Sequence, residues 1–244
     1  MRSSVSVLLA ASVALAGLAW PRTAAAQPPD PGLLARLAQH VAAIHDLGKR
    51  ASLRLDELTE ELDGDGKVSS TKTEVAHVET DGKTSHEIVE RATKDGKDVT
   101  AEEQERAKKE EAEAAGKKGK EDEELLTIPF SAAAADIYNY DQVATDAADS
   151  NRVEIAFTPK KPTKHTVEGK AWVDTTNGTV ISAGVKLSKP PTFVDWVHFT
   201  IELGAKTPLG PALSRLTFEG KGGILFVRKH FRGEIKMSDY RVAP

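Results

Sequence analysis

The sequence predicts a mainly β protein with some α: a curled antiparallel sheet or partial barrel of roughly nine to eleven strands, with one N-terminal amphipathic helix and one charged helical insertion. Three observations carry this. The apolar pattern changes from a period near 3.6 to a period of two at Ala51. From there, turn signals recur at Asp63-Gly64-Asp65-Gly66, Asp81-Gly82, Asp95-Gly96 and Asn177-Gly178. Strands so numerous do not lie flat in one open sheet, because the twist between neighbours accumulates.

The first 26 residues have the pattern of a secretory signal peptide. Arg2 supplies the positive start, Val5 to Ala19 form an apolar run, and Ala24-Ala25-Ala26 offers a small-residue cleavage site before Gln27. The run is too short to span a bilayer, which takes about 20 apolar residues. The expected product is an exported, periplasmic chain of residues 27–244 in a single domain. The whole sequence contains no cysteine, so no lipid anchor on a cysteine is expected and no disulfide supports the fold. Removing residues 1–26 takes Arg2 and Arg22, so Lys+Arg falls from 33 to 31 against 37 Asp+Glu, a formal charge of −6. With a pI of about 6.0, that excess of acid argues against a nucleic-acid partner.

Pro31 to Leu47 should form the amphipathic helix. Asp30 can cap it, Pro31 suits its first turn, Leu33, Leu34, Leu37, Val41 and Ile44 share a stripe, and Gly48 is a stop signal. His40 and His45 lie five apart and therefore do not form an i,i+4 metal pair; they are expected on the surface. The Asp63-Gly64-Asp65-Gly66 run does not fit a calcium-binding loop with Gly66 at the sixth position. Lys72 then falls where the bidentate Glu is required, so a hairpin turn is expected. Thr100 and Glu103 are spaced for a capping box opening a helix through Ala115, yet residues 100–124 hold no large apolar side chain. A solvated insertion is expected, with 117–124 a charged linker; a docking arm for a charged partner is the alternative.

Leu125, Leu126, Ile128, Phe130 and Ala132 to Ala135 suggest a short packed helix or loop leading to Tyr138 and Tyr140. Strands are expected at Val153–Phe157, Lys170–Asp174, Val180–Leu187, Phe193–Leu203, Leu213–Phe218, Gly223–Lys229 and Glu234–Val242. In the fourth of these, Phe193, Val197, Phe199, Ile201 and Leu203 take one face, and Trp196, His198, Thr200 and Glu202 the other.

No catalytic signature is present: no cysteine nucleophile, His-Glu-x-x-His, Gly-x-Ser-x-Gly or Gly-rich phosphate loop. The chain is therefore expected to be non-enzymatic, with no catalytic residue, cofactor or metal. His198 and Asp195 point to opposite faces of a strand and make no proton-transfer pair. The basic run Arg228-Lys229-His230-Phe231-Arg232 either contacts anionic lipid headgroups or guards a strand edge against pairing.

The order of "KDGKDVTAEEQERAKKEE", Phe157-Thr158-Pro159, "EGKAWVDTTNGTVISA" and "IKMSDYRV", behind a signal peptide and an amphipathic helix, resembles the bacterial periplasmic proteins related to the outer-membrane lipoprotein-sorting carriers. The resemblance runs over most of residues 30–242. It implies a half-open β-barrel wrapped around a helix, with an apolar cavity that accepts acyl chains. The expected cavity-lining residues are Leu37, Val41, Ile44, Trp172, Ile181, Val185, Val197, Phe199 and Ile201. The expected partner is an acyl chain, lipid or lipoprotein. The alternative is an envelope protein-interaction or sensing module on the same fold, with its core filled by its own side chains.

Overall fold

A computed structural model describes residues 26–80, 85–117, 126–224 and 227–242. The signal peptide and most of the charged linker lie outside the described residues. Helix α1 spans Pro31–Arg50. The Asp30 carboxylate accepts the Leu33 amide at 2.8 Å, Pro31 follows it, and Lys49 and Arg50 suit the negative end of the helix dipole. Gly48 does not end the helix, which runs on to Arg50. Leu33, Leu37 and Leu47 are its buried leucines, so its apolar stripe faces the sheet.

Eleven strands follow: β1 Ala51–Leu62, β2 Val68–Thr80, β3 Ser85–Lys94, β4 Lys97–Asp98, β5 Tyr138–Thr145, β6 Arg152–Pro159, β7 Val167–Asp174, β8 Thr179–Leu187, β9 Val194–Thr207, β10 Gly210–Ile224 and β11 Val227–Val242. They form one antiparallel, curled sheet in the order β4-β3-β2-β1-β11-β10-β9-β8-β7-β6-β5, so the barrel is open between β4 and β5. The hairpin turns at Gly66, Gly96 and Gly178 form where the Gly pairs predict them; the Asp81-Gly82 turn lies outside the described residues. Asp63 Oδ1 accepts the amides of Asp65 and Lys67 at 2.9 Å each, and Gly66 has φ +79. At the Asn177-Gly178 turn, Gly178 has φ +64 and a Cβ there would lie 2.2 Å from Arg36 Cβ, so glycine also makes room for α1.

The register gives the sheet one continuous inner row. Ile155, Ala171, Ala183, Ile201, Leu216, Ile235, Glu57, Glu74 and Ala92 are successive cross-strand partners from β6 to β3. Directly paired residues share a face. The face that α1 covers is therefore apolar from β6 to β11 and turns acidic at β1 and β2.

Two expectations change here. The segments read as three strands over Leu213–Val242 are two long strands, β10 and β11. Gly222 and Gly233, between those segments, are close-packing positions: a Cβ at Gly222 would meet Phe193 O at 2.4 Å, and one at Gly233 would meet Phe218 Cζ at 2.4 Å. Helix α2, Thr100–Lys117, is docked rather than solvated all round. It packs on β3, with Gln104 Nε2 donating to Val89 O at 2.9 Å. The capping box is absent, because the Thr100 hydroxyl instead accepts the Ala92 amide at 2.9 Å while Asp98 Oδ1 accepts the Thr100 amide at 2.8 Å.

Candidate binding site

The principal hydrophobic core lies under the N-terminal half of α1. Leu33 and Leu37 meet Phe130, Tyr138, Ile155, Phe157, Ala171, Val173 and Val180 there. Further along the helix the packing is incomplete. A hollow of about 260 Å³ separates Val41 and Ile44 of α1 from Ala183 and Val185 of β8, Ile201 and Leu203 of β9 and Leu213 of β10. Phe157 and Val180 form its deep end, and His45 is its one ionisable lining residue. Its walls offer almost no polar partner.

One wall comes from the segment before β5. Ile128, Pro129 and Phe130 line the hollow, and Phe130 has φ 64, an uncommon conformation for a bulky residue. Two tyrosines hold this wall. The Phe130 amide donates to Tyr140 Oη at 2.9 Å, with the Phe130 and Tyr140 rings stacked at 5.1 Å. Tyr138 Oη donates to Thr127 O at 2.9 Å and accepts the Val167 amide at 3.1 Å. Burial raises both phenol pKa values above the ordinary range, which keeps the hydroxyls neutral and able to donate.

His40 fixes α1 over the hollow and is buried, contrary to the surface position expected for it. Its Nδ1 accepts the Val180 amide at 3.0 Å. Nε2 must then carry the proton in the neutral ring, and it donates to Pro211 O at 3.2 Å. The ring thus ties α1 to β8 and β10 at once. Burial lowers its pKa below 6.5, outweighing the opposite pull of the Pro211 carbonyl.

Of the nine expected lining residues, Val41, Ile44, Val185 and Ile201 line this hollow. Leu37 sits in the adjoining solid core and is fully buried. Phe199 and Val197 continue the same inner face along β9: Phe199 is paired with Val185 and Phe218, and Val197 with Gly220. Trp172 is a correction. It pairs with Glu154 and Ser182 on the outer face and lines a surface groove there with Lys170 and Thr200. The inner positions of β7 go to Ala171 and Val173, where β6 to β8 pack too closely for a tryptophan. Ile181 is the second correction. A β-bulge opposite Trp172 and Val173 interrupts the alternation, and Val180 takes the lining position instead. The lining residues outside the expected nine are Ile128, Pro129, Phe130, Phe157, Val180, Ala183, Leu203 and Leu213 together with His45, of which Leu203 lies on the face of β9 that the alternation predicts.

A second hollow of about 540 Å³ opens at the far end of the same face. It lies between the loop before β9 and the β10–β11 hairpin, lined by Leu187, Phe193, Val197 and Phe231 with Lys221 and Lys229. Phe193 is 55% exposed and Phe231 37%, an unusual exposure for aromatic rings on one patch.

Fold and hollow together define an open, curled antiparallel sheet with a helix laid across an apolar cavity. Two solved structures are similar to this chain in outline. One is the crystal structure of MucB in complex with MucA(peri), at 8% identity and a TM-score of 0.23, covering 85% of this chain and 99% of that one. The other is the complex structure of Pseudomonas aeruginosa MucA/MucB, at 11% identity and a TM-score of 0.22 with the same coverage. Scores this low establish neither a common fold nor a shared function. No protein-family model and no curated protein matches the chain. Among the described residues, no helix is long and apolar enough to cross a membrane.

Proposed function

We propose that this chain is a non-catalytic periplasmic binder of acyl chains, acting as a carrier of lipid or lipoprotein. The observation that supports it most is the 260 Å³ hollow between α1 and the inner face, walled almost entirely by aliphatic and aromatic side chains. Its volume is close to the lower end of small-ligand sites, about 300–1,000 Å³. Each methylene buried there contributes about 0.8 kcal/mol, so an inserted chain binds without a strong polar contact. The signal-peptide pattern at residues 1–26 is consistent with work outside the cytoplasm.

The test is uptake of a fluorescent fatty-acid probe by the parent protein and by Val185→Trp, which fills the hollow without adding charge. The parent should bind and the folded variant should lose most of that binding. Absence of uptake by the parent, or equal uptake by a variant with an unchanged circular dichroism spectrum, rejects the carrier reading and favours an envelope protein-interaction module.

A further inference from the structure

The face of the sheet turned away from α1 carries a furrow that runs across the strands. Gly184, Thr200, Thr217 and Glu234 are successive cross-strand partners there from β8 to β11, and three of the four are small. The rows on either side are longer: Lys186, His198, Glu219 and Arg232 on one, Glu202, Arg215 and Lys236 on the other. Two hollows of about 420 and 440 Å³ lie along this furrow and meet at His198 and Thr200. Trp172 stands at its β7 end and Leu58, 39% exposed, at its β1 end, five strand spacings or about 24 Å apart. A Cβ on Gly184 would meet nothing within 4 Å, so packing does not require glycine at this point of the floor.

The charges that line the furrow are already matched. Glu154 holds Lys170 at 3.1 Å, Glu168 holds Lys186 at 2.8 Å, Glu60 holds Arg232 at 2.6 Å and Glu234 holds Lys236 at 2.9 Å, while Glu219 bonds His230 at 2.8 Å. A charged ligand would have to break such pairs to make its own. The unengaged groups are hydroxyls and one imidazole. Among the described residues, the hydroxyls of Ser182, Thr200 and Thr217 and the ring nitrogens of His198 make no hydrogen bond. Hydroxyls both donate and accept, and an indole face presents the negative side of its quadrupole to the C–H face of a sugar ring. A peptide fits less well, because the backbone groups of β7 to β11 are taken by the ladder and leave no edge to extend.

We infer that this furrow is a second binding site, for an uncharged glycan chain. One sugar ring stacks on Trp172, the next lies over Gly184, and the chain continues across Thr200 and Thr217 with His198 at its side. The site is on the opposite face from the acyl-chain hollow and does not depend on that reading.

Titration calorimetry of the protein with cellotetraose, tetra-N-acetylchitotetraose and tetragalacturonate tests this site. At least one of the two neutral chains should bind, and tetragalacturonate, of similar length but charged, should bind about tenfold more weakly or worse. Trp172→Ala, which removes the stacking ring, and Gly184→Ile, which fills the floor with a side chain that strands favour, should each lower the affinity for the neutral chain about tenfold. Thr217→Val, which removes one hydroxyl at nearly constant shape, should lower it about threefold and replaces either variant that does not fold. Fatty-acid uptake, which reads the other face, should be the same in parent and variants. Binding of none of the three chains, tetragalacturonate binding as tightly as the neutral chains, or undiminished affinity in a folded variant overturns the glycan site and leaves the acyl-chain reading untouched.

Discussion

Both helices lie on the same face of one sheet, and they are held there by opposite means. Helix α1 meets β6 to β10 through leucines and aromatic rings, with Leu37 fully buried beneath it. Helix α2 meets β2 and β3 through charge. Glu74, only 5% exposed, takes Lys72 Nζ at 2.7 Å; the same ammonium reaches Glu103 of α2 at 2.9 Å, and Arg106 reaches Glu103 at 2.6 Å. The Lys72 pKa is raised although burial pushes it down, because the hydrogen bonds its ammonium donates to Glu74 and Glu103, with their negative charge, outweigh the desolvation. Under α2 the buried apolar residues are small or few: Ala76, Val89 and Ala92. The same backbone register thus carries an apolar row that can enclose a ligand and an ion-paired row that leaves little apolar volume. The difference lies in the side chains of β1 and β2, where Glu57 and Glu74 replace the Ile235 and Leu216 of the neighbouring strands.

Burial by apolar contact is worth more than paired charge, because an ion pair gives back much of its Coulomb energy in desolvation. Four experiments sharpen the contrast. Leu37→Ala should show the largest loss, about 2–5 kcal/mol by denaturant unfolding, since it empties a fully packed site. Replacing residues 100–124 with a short Gly/Ser linker should cost about 1–3 kcal/mol, less than Leu37→Ala. A larger loss there would mean that the charged half is the tighter one.

The third concerns pH and belongs to α1 alone. The folded-state pKa of His40 is lowered, so its contribution is fully present above 6.5 and is lost as pH falls from 6.5 through the lowered folded value. Protonation would put a hydrogen on Nδ1, facing the Val180 amide, and the unpaired amide would cost about 1–3 kcal/mol at full protonation. Unfolding measured across that window should show stability falling with pH, and His40→Gln should flatten the slope. An unchanged slope would show that α1 is held by its leucines without this histidine. The smallest effect is expected at the outer face: Trp172→Ala should leave fatty-acid affinity within about 0.5 kcal/mol of the parent, as surface changes away from a site do. A clear loss would place the ligand on the wrong side of the sheet in this account.

Much of this was legible in the sequence. The start of α1 follows from Asp30 and Pro31 and its buried face from the leucine stripe, and the inner face of β9 follows from the odd-numbered run Val197 to Leu203. What escaped depends on contacts between distant residues. Trp172 looks like the natural core residue of its strand, but the room is set by neighbouring strands: a Cβ at Gly169 on β7 would lie 2.0 Å from Gly184 O and 3.1 Å from Phe157 Cζ. The bulge that exchanges Ile181 for Val180 needs a register that no single strand shows. His40 lies 140 residues from the amide it accepts, so its burial has no local signature. The docking of α2 was missed because counting apolar residues cannot detect a face built from Glu103 and Arg106 against Glu74 and Lys72.

The contrast between the two halves gives the most direct measurement. A stearic acid spin-labelled near its methyl end, added to protein with isotope-labelled methyl groups, should broaden the NMR signals of Val41, Val185 and Ile201 around the hollow. The methyls of Ala76, Val89 and Ala92 under α2 should stay sharp. Broadening that is equal in both halves, or confined to the α2 half, would contradict an acyl-chain site beneath α1.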